Sequence, residues 1–417
     1  MNQFWQKVDK YLLILFSVGW GFGTNLELEG YYITKGLSIN DIVFIIYSAC
    51  TILLIKNIKY RDFSKSLKLI IQLLLALFTL MSISTIINMR GYNDIIFLTR
   101  NLRIIYFILL IITCSQYIRK SGCEDIILGY IFGASIIVLL KFYPFYELRL
   151  ISGIPIVKDP NVVGGVLFFM ALFSFIGLVN GYIEFLLIFI LIATISITTY
   201  SKGYWIIVTD LVGMYIFNIK NIIANRKFVF NIFIKSLLII LTLLFCIIPW
   251  ISNISFKNDI NYLVNHKIKT TNENESALVR IELLKQGGEI VSRNFLFGVG
   301  NNYNKILIET PSFDGKRAIV AYDNSHNVFS EISIIYGMPT LLTFIAIILY
   351  SSILFRDFLY IYFKSFYIVY ILVILYTFAI VLHGLIQIQI IIQPSFYIFI
   401  AILIGLINAN TIKNYKQ

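Results

Sequence analysis

The chain has 417 residues, of which 59% are hydrophobic and 13% charged, against roughly 25% charged in ordinary soluble domains. With a mean hydropathy of +0.83 this excludes a domain folded in water. The apolar runs are continuous and rich in Ile, Leu and Phe, which excludes a membrane β-barrel with its alternating strands. Most of the net charge of +12 lies in short segments between apolar runs, where it is a topology signal rather than a nucleic-acid surface.

In chain order, Lys7 and Lys10 precede the apolar stretch Tyr11–Gly23. No small-residue cleavage site follows it, so it reads as a retained first helix. The hydropathy pattern predicts about twelve spans, near 11–25, 39–56, 68–88, 95–117, 124–143, 162–180, 183–200, 203–219, 233–252, 326–354, 366–383 and 394–409. The expected fold is an all-α polytopic membrane protein with one large external loop containing short helices. It divides into residues 1–252 with about nine spans, the loop 253–325, and residues 326–417 with about three spans.

Basic residues set the orientation. Segment 56–68 holds Lys56, Lys59, Arg61, Lys65 and Lys68 against Asp62, and segment 218–235 holds Lys220, Arg226, Lys227 and Lys235 without an acid. Arg119, Lys120, Arg356, Lys364, Lys413 and Lys416 fall on the same side. Both termini are therefore expected in the cytoplasm and residues 253–325 outside. Cys50, Cys114, Cys123 and Cys246 all lie outside that loop, so no disulfide framework is expected there.

Within the loop, Ala277–Val291 mixes Leu278, Ile281, Leu283 and Leu284 with Arg280, Glu282 and Lys285, the pattern of an amphipathic helix. Phe295-Leu-Phe-Gly-Val-Gly300 follows as an apolar turn. A small lid-like unit lying against the membrane is expected.

The stretch from Tyr322 to Gly337 runs from the loop into a span. Ser325 can act as N-cap, with His326 and Asn327 in the first helical turn. A helix N-terminus offers free N–H groups to a phosphate, and histidine can take a proton near neutral pH. The competing reading is a polar cap where a helix meets water. Arg280 could fork onto phosphate oxygens or pair with a neighbour such as Glu282. Lys202, in Tyr200-Ser-Lys-Gly203, could contact a diphosphate or snorkel to the interface. Arg149, Lys158 and Asp159 precede Pro160-Asn161, where a span begins. Arg100 and Arg103 share one face of the fourth span. Asp210 is a candidate partner for Arg103, leaving Arg100 as a substrate-site candidate. His383, Gln387, Gln389 and Gln393 either line a polar groove or pack in the core.

The order Asp159-Pro-Asn161, Ser201-Lys-Gly203, Arg280, Phe297-Gly-Val-Gly300, His326-Asn327 and Gly337 resembles the O-antigen polymerase and O-antigen ligase superfamily. Arg149 and Gly165 also fit an Arg-x15-Gly spacing of its polymerases. Two positions depart from the pattern: Lys202 stands where arginine is frequent, and Ile335 where glutamate is, with Glu331 nearer the histidine. The resemblance implies a membrane-embedded, glycosyltransferase-like fold and glycosyl transfer needing no metal or cofactor. The donor it implies is a glycan on undecaprenyl diphosphate. His326 and Arg280 would be catalytic. Lys202, Asn327, Arg149, Asn161, Arg100, Tyr322 and Glu331 would bind substrate. The expected partners are the lipid-linked glycan, membrane lipids and a chain-length regulator protein. Nucleic acid is not among them. The expected location is the bacterial cytoplasmic membrane. Polymerisation of repeat units is the preferred activity, and ligation of the glycan to lipid A core or protein is the alternative. A lipid-linked oligosaccharide flippase is the reading from another class. No G-x-x-x-x-G-K-[ST], H-E-x-x-H or cysteine metal cluster occurs.

Overall fold

Backbone inside a bilayer has no water to bond to, so each apolar run must close its hydrogen bonds within itself as a helix. The computed structural model describes residues 63–89, 92–142, 160–182, 272–300, 306–311, 317–322, 327–363, 365–386 and 394–416, with shorter pieces within 11–46, 149–156 and 185–215. The spans expected at 39–56 and 233–252 lie almost wholly outside the described residues, as does most of 183–219.

In chain order the helices are α1 (Lys65–Ile87), α2 (Tyr92–Ser121), α3 (Glu124–Phe142), α4 (Pro160–Val179), α5 (Asn272–Arg293), α6 (Val328–Tyr336), α7 (Met338–Tyr362), α8 (Phe366–Ile386) and α9 (Pro394–Lys416). Five helices among the described residues are long and apolar enough to cross a membrane. They are Lys65–Ile87, Asn101–Ser121, Met338–Tyr362, Phe366–Leu385 and Pro394–Thr411, and Gly165–Val179 is a shorter apolar helix. The protein is an integral membrane protein.

The core is centred on α9. Phe396 to Ile404 are all fully buried, as expected of a helix that is apolar all round. It packs along α2, with Phe107 stacked on Tyr397 at 4.0 Å between ring centroids. Helix α1 lies against α2 and α7, and α7 against α8. Asn408 Nδ2 donates to Ser64 Oγ at 3.2 Å, and Tyr362 OH donates to Asn180 Oδ1 at 2.5 Å. These bonds gather the start of α1 and the ends of α4, α7 and α9 at one end of the bundle, where Lys65 and Lys68 also lie. Helix α6 and the loop helix α5 sit at the opposite end.

One expectation needs correction and another is extended. The span predicted at 326–354 is two helices, α6 and α7, broken at Gly337, which has φ 88° and ψ 169°. Pro339 opens α7, a position where its missing N–H costs nothing. The loop 253–325 was expected to contain short helices. It also holds an antiparallel hairpin, β5 (Ile306–Pro311) with β6 (Arg317–Tyr322), pairing Ile306 with Tyr322. Two smaller hairpins join β1 (Tyr32–Thr34) to β2 (Leu37–Ser38) and β3 (Arg149–Ile151) to β4 (Ile154–Ile156). The described strands all lie between spans, where the pattern is short and β-branched.

Candidate functional site

At the loop end of the bundle, four pieces of chain far apart in sequence are fastened together. Helix α5 lies across α6. Leu283 is fully buried against Ile334, with Ile290, Val291 and Val299 packed round them. The spacing 283, 287, 290, 291 is one face of a helix. Gly287 is the crossing point, since a Cβ there would stand 2.9 Å from Ser330 Oγ and 3.1 Å from Ile334 Cδ1.

The chain then leaves α5 and docks on the α6–α7 break. Val299 N–H donates to Ile334 O at 2.8 Å and Met338 N–H to Phe295 O at 2.9 Å. Gly298, at φ 61°, has no room for a side chain: a Cβ would stand 2.5 Å from the Ile334 and Ile335 carbonyl oxygens. Gly337 meets the same loop from the other side, where a Cβ would stand 2.6 Å from Leu296 C and 2.8 Å from Phe297 N. Gly298 of the apolar turn and Gly337 after the helix thus belong to one backbone-to-backbone clasp, which the sequence left as separate turns.

Helix α1 supplies the fourth piece. Ser84 Oγ donates to Phe297 O at 2.6 Å and to Ile335 O at 3.2 Å, and Asn88 Nδ2 donates to Phe297 O at 3.1 Å. One turn away, buried Asn101 of α2 donates to Thr85 Oγ1 at 3.0 Å and accepts from Tyr336 OH at 3.3 Å. A hydrogen bond inside the apolar bundle has no water to compete with it, so this network fixes α6 against α1 and α2. Sequence reasoning missed these residues. The available signal was the polar run Ser82, Ser84, Thr85, Asn88 in a span otherwise rich in Leu and Ile.

The start of α6 differs from the expected arrangement. Its N-cap is Asn327, not Ser325. Asn327 Oδ1 accepts the N–H groups of Phe329 at 2.9 Å and Ser330 at 3.4 Å. Two donors that were to meet a phosphate are therefore taken by the protein's own cap. Glu331 lies in the first turn, where its charge complements the helix dipole. The end of α8 packs here too: a Cβ on Gly384 would stand 3.0 Å from Val328 Cγ1. Its neighbour His383 is fully buried between Phe168 and Phe169 of α4, at ring distances of 4.9 and 5.4 Å. Of the two readings for His383, core packing holds.

The remaining expected site residues fall as follows. His326 and Lys202 lie outside the described residues. Arg280 is on α5, one turn before Leu283. Tyr322 ends β6, Arg149 begins β3 and Asn161 is the second residue of α4. Arg100 lies in the first turns of α2 and Arg103 is buried. The expected Arg103–Asp210 ion pair is not formed among the described residues, and the buried Oδ2 of Asp210 has no hydrogen-bond partner. No group of three metal-ligating side chains occurs among the described residues.

Residues 187–345 match the family model described as O-Antigen ligase. No curated protein matches the chain.

Proposed function

Residues 187–345 match the family model described as O-Antigen ligase, and from that premise we propose that the protein polymerises glycan repeat units carried on undecaprenyl diphosphate, at the outer face of the cytoplasmic membrane. The observation that supports glycosyl transfer is the match itself, whose range takes in Lys202, Arg280, Gly298, Gly300, His326, Asn327 and Gly337, and the preference for a polymerase rests on the Arg149–Gly165 spacing. The clasp supports it: the loop helix bearing Arg280 and the capped helix after His326 cross at Gly287.

The chemistry follows from the donor. An acceptor sugar hydroxyl attacks the anomeric carbon. The carbon–oxygen bond to the diphosphate breaks as the new glycosidic bond forms, and the electron pair leaves with undecaprenyl diphosphate. Fixed cations stabilise that developing charge in a low-dielectric site, a role assigned to Arg280 and Lys202. The hydroxyl proton passes to the imidazole of His326. With two N–H groups of α6 occupied by Asn327, the phosphate charge falls on the cationic side chains rather than on the helix terminus. Arg149, Asn161, Arg100, Tyr322 and Glu331 are assigned to the sugar and acceptor side. A chain-length regulator is the proposed protein partner.

The ligase reading fits the matched family equally well, and it uses the same chemistry with lipid A core or protein as acceptor. Purified protein in liposomes, given lipid-linked repeat units as both donor and acceptor in EDTA, tests the proposal. Longer lipid-linked glycans from wild type and none from His326→Ala are expected. Equal elongation by His326→Ala would remove His326 from the site, and elongation only on adding lipid A core or an acceptor protein would make the protein a ligase.

A further inference from the structure

Phe295, Leu296 and Phe297 leave 54%, 58% and 40% of their surface exposed. They do so although the backbone beneath them is tightly held, through Met338 N–H on Phe295 O and Ser84 and Asn88 on Phe297 O. A fixed loop that turns three large apolar side chains outward needs an apolar surface to receive them.

The fixed points identify that surface. They are the loop-side ends of α1 and α7, both long and apolar enough to cross a membrane. On α1 the exposed neighbours are Ile83, Ile86 and Ile87, with Met89 just past its end, and on α7 Leu342. The tripeptide therefore continues the lipid-facing side of two spans. The 23 residues of α1 extend about 35 Å, slightly more than the roughly 30 Å hydrocarbon layer. Its last turn, where the tripeptide docks, thus falls at the boundary between acyl chains and headgroups. Arg293 and Asn294, just before the tripeptide, are exposed, which places a cation where lipid phosphates lie.

We propose that Phe295-Leu296-Phe297 is an interfacial wedge inserted among the bulk phospholipids of the leaflet on the loop side. It holds the loop helix α5 down on the membrane through the clasp at Gly298 and Gly337. The wedge is independent of the glycan reading, since it rests only on the bundle being in a bilayer.

The test uses the unaltered full-length protein in liposomes of phosphatidylethanolamine and phosphatidylglycerol. A phospholipid with a diazirine near the headgroup end of its acyl chain is included, and peptides are mapped after photolysis. Adducts on 295–297 at a level comparable to those on Ile83–Ile87 are expected, with about a tenfold loss on the 295–297 peptide in the F295S/L296S/F297S variant. Strong labelling of Ile83–Ile87 with none on 295–297 would overturn the proposal. So would chain-to-chain crosslinks at 295–297 in place of lipid adducts, which would make the face a contact between two copies.

Discussion

Replacing Gly337 with alanine strikes the clasp where backbone meets backbone. Gly337 sits at φ 88° and ψ 169°, a region open in practice to glycine alone, and an alanine there costs about 1–3 kcal/mol in strain. The new Cβ would also stand 2.6 Å from Leu296 C and 2.8 Å from Phe297 N. Backbone cannot rotate away as a side chain can, so the loop must back off. Two hydrogen bonds then go, Met338 N–H to Phe295 O and Val299 N–H to Ile334 O, each worth about 0.5–1.5 kcal/mol. Together these come to about 2–6 kcal/mol, charged to the docking of the loop rather than to the bundle core. Hydrogen exchange in nanodiscs reads it directly, because each 1.4 kcal/mol is tenfold. The amides of Val299 and Met338 are expected to exchange at least about 30-fold faster in Gly337→Ala, with the amides of α9 unchanged. Wild-type protection at Val299 would refute the reasoning.

Removing Ser84 or Asn88 by alanine should loosen the same loop by about 1 kcal/mol each, a smaller acceleration at the same amides, and the double variant should not exceed the effect of Gly337→Ala. Asn327→Ala should cost α6 about 1 kcal/mol as a lost cap; Asn327→Ser should restore most of it in thermal unfolding, and should restore transfer too if capping is the whole of the residue's role. Arg103→Met and Asp210→Asn should combine additively within about 0.5 kcal/mol, since no ion pair joins them, and a larger coupling energy would show that the two charges meet.

Spans among the described residues were readable because lipid imposes a single solution on a long apolar run. Predicted ends near 68–88, 124–143 and 162–180 lie close to α1, α3 and α4. The break at Gly337 was not read, because Ile334-Ile335-Tyr336 and Met338 keep the run apolar across it; Gly337 followed by Pro339 was the overlooked signal. The hairpin carried one as well, Asp314-Gly315 between two β-branched segments. At the site, residue types and their order were legible, while their partnerships were not. Gly298 and Gly337 look alike as turn formers in a string of letters, and only the fold brings them onto one another. The contribution of Ser84 and Asn88 comes from a helix about 200 residues upstream of the loop it binds. No local pattern encodes such a contact.

The central claim is tested most directly by the surface-polysaccharide and lipid-linked glycan profile of a deletion strain, complemented by wild type or by His326→Ala. The account predicts that the deletion loses long chains while single repeat units still reach the surface, that wild type restores long chains and that His326→Ala does not. Long polymer stranded on its lipid carrier would instead mean a ligase, and repeat units held in the cytoplasmic leaflet would mean a flippase.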